Sequence, residues 1–143
     1  DLRQVSTALK VVTDLERIGD HASDIAELIL RIKSEHAYHI VKHLPVMAAS
    51  AGRMVHDAIE AFIDQDLDAA MEIIDRDDEV DTLFNQVKED VIHLLKSSPD
   101  QADQGIDLLM VAKYLERIGD HAVNVCEWTQ FSKTGALKNV RIM

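Results

Sequence analysis

Apolar positions along the chain recur every three or four residues over long stretches, the period of an α-helix with one buried face. The first such stretch puts Val5, Ala8, Val12, Leu15, Gly19, Ala22, Ala26, Ile29 and Ile32 on one stripe and predicts a helix from about residue 2 to beyond residue 35. The polar run "EHAYHIVKH" reads as its end or as a junction, and Pro45 marks a restart, since proline fits a first helical turn but not a helix interior. The second predicted helix reaches about residue 64 on the stripe Met47, Ala51, Met54, Ala58 and Phe62, with Asp66 placed to cap the next one. The third, to about residue 97, carries the seam Leu67, Ala70, Ile74, Asp77, Asp81, Phe84, Val87, Val91 and Leu95. Ser98, Pro99 and Gln101 then spell an N-cap, a first-turn proline and a capping box for a fourth helix that ends near Lys133, with Gly135 as a left-handed stop. The final "ALKNVRIM" is left unassigned.

Strand signals are nearly absent, so the expected class is all-α. Helices at about 45–64, 67–97 and 99–132, joined by short connections, predict an antiparallel three-helix bundle. The first helix is left over, and a repeat explains it. The string "LERIGDHA" occupies residues 15–22 and returns at 115–122, while Gln4, Leu9, Val11 and Glu27 recur at the same offset as Gln104, Leu109, Val111 and Glu127. The first helix is thus the counterpart of the bundle's last helix. The expected organisation is residues 1–43 as the last helix of an incomplete first three-helix bundle plus a junction, and residues 44–143 as a complete second bundle. An apolar stripe without its own bundle predicts a homo-oligomer, or cover from the second bundle.

Composition narrows the function. A formal net charge of −11 disfavours docking on nucleic acid or on an anionic membrane, both of which require a basic face. No apolar run is long enough to span a bilayer and no signal peptide is evident, so a cytoplasmic protein without membrane insertion is expected. The single cysteine, Cys126, lies in an apolar helical run and reads as a core residue. There is no phosphate-cradling glycine loop, no Ser/His/Asp arrangement and no CxxC pair, and an enzyme is not expected.

The acids carry the candidate chemistry. Asp77 and Asp81 interrupt an apolar seam, and burying such carboxylates without compensation costs several kcal/mol each. Glu116 and Asp120 are one helical turn apart on one face, and Glu16 and Asp20 repeat that pair. Across an antiparallel groove the 77/81 and 116/120 pairs can face each other, and four converging carboxylates call for a cation: iron, manganese, magnesium or zinc, one or several. The competing reading pairs these acids with Arg17, Arg117, Lys113 or Lys88. Gly19 and Gly119, costly in mid-helix, read as points of close approach or of room beside the site. His21 and His121 read as outer, capping or surface groups. His36, His39 and His43 have helical spacing but read as solvated, and His56 and His93 carry no assignment. Trp128 and Phe131 read as packing at the bundle end.

The segments "DLRQVSTALKVVTDLERIGDHASDIAE", "RDDEVDTLF" and "LLMVAKYLERIGDHAVNVCEW" closely resemble the PhoU family, cytoplasmic regulators of bacterial phosphate uptake. The resemblance implies two similar three-helix bundles marked by E(D)xxxD motifs. It implies Asp77, Asp81, Glu116 and Asp120 as ligands of the second bundle's metal site, and Glu16 and Asp20 as half of a first. It also implies multinuclear iron or zinc, dimerisation, and repression of the phosphate-starvation response through a phosphate-sensing histidine kinase and the ATPase of the phosphate ABC transporter. The alternatives are a PhoU-like accessory domain of another transporter and, from a different class, a carboxylate-bridged helical metalloenzyme.

Overall fold

A computed structural model describes residues 2–135, and every regular element among them is helical. In chain order these are α1 (Leu2–Arg31), α2 (Glu35–Ile40), α3 (Leu44–Asp64), α4 (Leu67–Asp75), α5 (Asp77–Ser97), a 3-10 turn (Pro99–Gln101) and α6 (Ala102–Thr134). Helices α3, α4–α5 and α6 form the expected up-down-up bundle. Its core is built from Met47, Met54, Ile73, Val80, Val87, Val91, Leu94, Leu108, Val123 and Val125. No helix among the described residues is long and apolar enough to cross a membrane.

Several boundaries follow the predicted chemistry. Pro45 stands in the first turn of α3, Asp66 caps α4 by accepting from the Ala69 amide, and Gly135 ends α6 at φ 77°. The unassigned tail from residue 136 lies outside the described residues.

Three expectations are corrected. The first helix stops at Arg31 instead of passing residue 35, because Gln104 Oε1 accepts from the Lys33 and Ser34 amides and the Ser34 hydroxyl caps α2 at the Ala37 amide. The capping box at 98–101 does not form: Ser98 makes no side-chain cap bond, and Gln101 Oε1 instead accepts from Ser34 Oγ. The third helix is broken at Arg76, where the backbone tightens to an Arg76 N–Ile73 O bond. The buried positions across α4 and α5 are Ile73, Val80, Leu83, Val87, Val91 and Leu94, so Val87 and Val91 stand where expected while Ile74, Phe84 and Leu95 are half-buried beside the seam. Asp77 is half-buried at the seam's edge and Asp81 is exposed, where both had been expected inside.

Helix α1 packs antiparallel along α6, with Arg31 reaching Asp107 at one end and Asp14 meeting Asn124 nearer the other. Its buried face is Thr7, Val11, Asp14 and Leu28, with Leu15, Ile18 and Ile25 packed beside them. The stripe read from the sequence is rotated away from this face. Val5 and Val12 remain 57% and 58% exposed, and Leu2, Leu9, Ile29 and Leu30 are exposed with them.

Candidate functional site

The groove between α5 and α6 carries the four acids of the predicted site. The two helices are antiparallel, with Asp77 Oδ1 3.8 Å from where a Cβ on Gly119 would stand and Lys113 Nζ 5.4 Å from the centre of the Phe84 ring. This register sets Asp77 level with Asp120 and Asp81 level with Glu116. Glu116 and Asp120 are half-buried, and Asp77 Oδ1 is shut off from solvent.

Part of the competing salt-bridge reading is present here, since Lys113 donates to Glu116 at 2.7 Å. The donor set still suits a hard cation: carboxylate oxygens from two facing helices, beside a residue that has no side chain of its own. Gly119 does not mark a forced close approach, because an added Cβ would meet Val80, Asp77 and Met54 at 3.6–4.0 Å, ordinary contact. At the repeat position, a Cβ added to Gly19 would meet nothing within 4 Å, and Glu16 and Asp20 are exposed on the same open side of α1. Nothing among the described residues completes that second pair.

A different group draws its ligand atoms together. His56, Asp57 and Glu60 on α3 place them all within 4.8 Å of one another, whereas the four groove acids are not gathered within that span. Sequence reading assigned His56 nothing; its one-turn spacing from Glu60 was the signal. Asp57 is already engaged by Arg76 at 2.7 Å, and this bond, followed by the one to His56, holds its carboxyl below the usual range. The bond to Asp57 in turn raises the His56 pKa.

The repeated histidines are not surface groups. His21 and His121 meet at the α1–α6 seam with ring centres 5.6 Å apart, and His21 also stands 5.5 Å from Tyr114. Burial first, then the neighbouring His121 and Arg117, lowers the His21 pKa. His121 Nδ1 lies 2.8 Å from Asp14 Oδ1, and Asn124 donates to the same oxygen at 3.2 Å. A carboxylate only accepts, so Nδ1 of His121 carries the proton. Asp14 is 4% exposed, and this buried cluster escaped sequence reading because its partners are more than a hundred positions away.

One further expectation changes. His43 is not simply solvated: its ring and its backbone amide both bond Asp90 Oδ2, at 2.7 and 3.1 Å, so Asp90 anchors the start of α3. Trp128 and Phe131 form an edge-to-face pair with centres 5.6 Å apart. Cys126 is a core residue as expected, its thiol pushed up to about 12 by burial.

Comparison with known proteins agrees with this architecture. A phosphate-specific transport system accessory protein PhoU homolog from Clostridium acetobutylicum is 42% identical over 135 residues, covering 94% of this chain and 62% of that protein. A homolog from Thermotoga maritima is 35% identical, covering 98% and 60%. The chain therefore spans about three-fifths of the length of these relatives. The crystal structure of the phosphate transport system regulatory protein PhoU from Streptococcus pneumoniae superposes with a TM-score of 0.84 at 29% identity, over 98% of this chain and 66% of that one. PhoU from Pseudomonas aeruginosa gives 0.84 at 30% identity, over 95% and 66%. The PhoU domain profile matches residues 1–29 and 44–129, and the chain belongs to the PhoU domain family.

Proposed function

We propose that the chain is part of a cytoplasmic, metal-binding regulator of phosphate transport and phosphate-starvation signalling that works by protein–protein contact and not by catalysis. The observation that carries this is family membership across both copies of the repeat, joined to relatives named as accessory proteins of the phosphate-specific transport system. By the family resemblance, the partners are a phosphate-sensing histidine kinase and the ATPase of the phosphate ABC transporter. In this reading residues 1–43 are the last helix of a first bundle plus a junction, and residues 44–143 are the second bundle.

The groove of α5 and α6 is proposed as the metal site, with Asp77, Asp81, Glu116 and Asp120 as ligands and iron or zinc, in one or several ions, as occupant. Bound metal would neutralise the four acids and tie the two helices together, with Lys113 released from Glu116. Glu16 and Asp20 are proposed as half of an equivalent site. Metal binding would draw the groove acids closer together than they stand here.

Metal content of protein prepared without chelator or nickel resin tests the site. Asp81→Asn with Asp120→Asn is expected to abolish bound iron or zinc with helical content kept, and the loaded wild-type chain is expected to unfold at a higher temperature than the stripped one. At a hundredfold excess of metal over Kd the stabilisation is about 2.7 kcal/mol. Unchanged metal content with lower stability would mean that the acids serve only as salt-bridge partners. The regulatory reading is tested separately, by whether the chain joined to its natural neighbours restores phosphate repression of alkaline phosphatase in cells lacking their own regulator.

A further inference from the structure

The repeat gives the α1–α6 seam an approximate two-fold symmetry, with the His21 and His121 rings tilted against each other near its centre, 5.6 Å between ring centres. The two ends of the seam, however, are built from different residues. At one end Asp14, His121 and Asn124 form the buried cluster, and Trp128 and Phe131 pair edge to face. At the other end the equivalent positions hold Tyr114, His21, Asp24, Leu28 and Arg31. Leucine and arginine replace the two large rings, and the Arg31 side chain turns out to Asp107 at 3.2 Å with 64% of its surface exposed. What is left is a cleft of ≈ 360 Å³ lined by Asp24, Glu27, Leu28, Arg31, Met110 and Tyr114.

The lining selects an occupant. Leu28, Met110 and the face of Tyr114 offer an apolar floor that suits an aliphatic stem, and an aromatic face attracts a cation. Arg117 already shows this, with its guanidinium 5.8 Å from the Tyr114 ring centre. Asp24 and Glu27 supply two carboxylates, and the one cation in the lining, Arg31, is matched by Asp107. Anionic groups are repelled here, while the chain's net charge of −11 draws basic partners toward it.

We propose that this cleft is a docking point for a basic side chain, arginine or lysine, on a partner protein. The proposal rests on the reading that the protein works through protein contacts, but its test does not need the regulatory pathway. Acetyl-arginine amide titrated into the isotope-labelled chain, followed by two-dimensional NMR, is expected to give saturable shifts confined to residues around Asp24, Leu28 and Tyr114. Asp24→Asn with Glu27→Gln, which keeps shape and removes charge, is expected to weaken that binding at least tenfold. Leu28→Trp, which installs the residue found at the equivalent filled end, is expected to abolish it without a change in charge. Shifts that spread over the acidic surface without saturating, or saturable shifts that survive in the Asn/Gln variant, would overturn the docking point. Failure of the wild-type chain to restore phosphate repression, with its arginine binding intact, would count against the regulatory reading alone.

Discussion

Asp14 is a buried carboxylate in a helix–helix seam, and what makes it tolerable is that His121 and Asn124 both bond one of its oxygens. Asp14→Ala strands buried Asn124 and half-buried His121 on α6, so a loss of about 1–3 kcal/mol is expected, measurable as a lower urea midpoint. Asp57 behaves differently because it is part exposed and its partner Arg76 stays charged throughout. Its lowered pKa means the unfolded chain takes up a proton first as acid is added. The stabilisation is therefore complete above the ordinary carboxylate range and is lost as pH falls through the lowered folded value. Asp57→Asn is expected to cost no more than about 1 kcal/mol at neutral pH, a modest figure set by solvent screening. The gap between variant and wild type in acid-unfolding curves is expected to close below the carboxylate range.

At the scale of the helices, legibility followed the reach of the physical signal. Most caps and stops set by adjacent residues were readable: Asp66, Pro45 and Gly135 do what local chemistry predicts, whereas the Ser98–Gln101 box loses Gln101 to distant Ser34. The end of α1 was not, because Gln104, seventy positions on, takes the amides of Lys33 and Ser34. The phase at the start of α5 was misread because the helix is broken at Arg76, and Asp77 lies half-buried at the seam's edge while Asp81 is exposed. The candidate acids were legible as pairs through their one-turn spacing. Their separations were not, since these depend on how α5 and α6 are set against each other. The glycines give a test of element stability. An alanine Cβ at Gly19 meets nothing and at Gly119 makes ordinary contacts, so each substitution is expected to stabilise its helix by up to about 1 kcal/mol. At Gly105 the added atom lies 3.2 Å from Leu94 Cδ2, and thermal unfolding is expected to show a smaller gain or none.

For the whole molecule, the decisive feature is that α1 shows α6 a mixed polar and apolar face and leaves Leu2, Val5, Leu9, Val12 and Leu30 in water. The sequence repeat made α1 legible as the counterpart of the last helix, with cover from the second bundle as one of two expectations for its stripe. It did not reveal which face would be used, because both faces of α1 carry apolar residues at helical spacing. A stripe of this kind favours self-association. Sedimentation of the chain is expected to show concentration-dependent oligomers, and Val5→Lys with Val12→Lys is expected to shift them toward monomer with helical content unchanged. A wild-type chain that stays monomeric across the concentration range would leave the stripe without that role.

The seam between α1 and α6 joins residues more than a hundred positions apart, while the bundle of α3 to α6 is closed by turns of a few residues. Closing the longer loop costs more chain entropy and is repaid only once α6 already has a formed surface to receive α1. On grounds of chain entropy the bundle is expected to condense first and α1 to dock last. Taken in reverse, α1 is the element that opens first, and its amides are expected to exchange with deuterated water before those of α5 and α6.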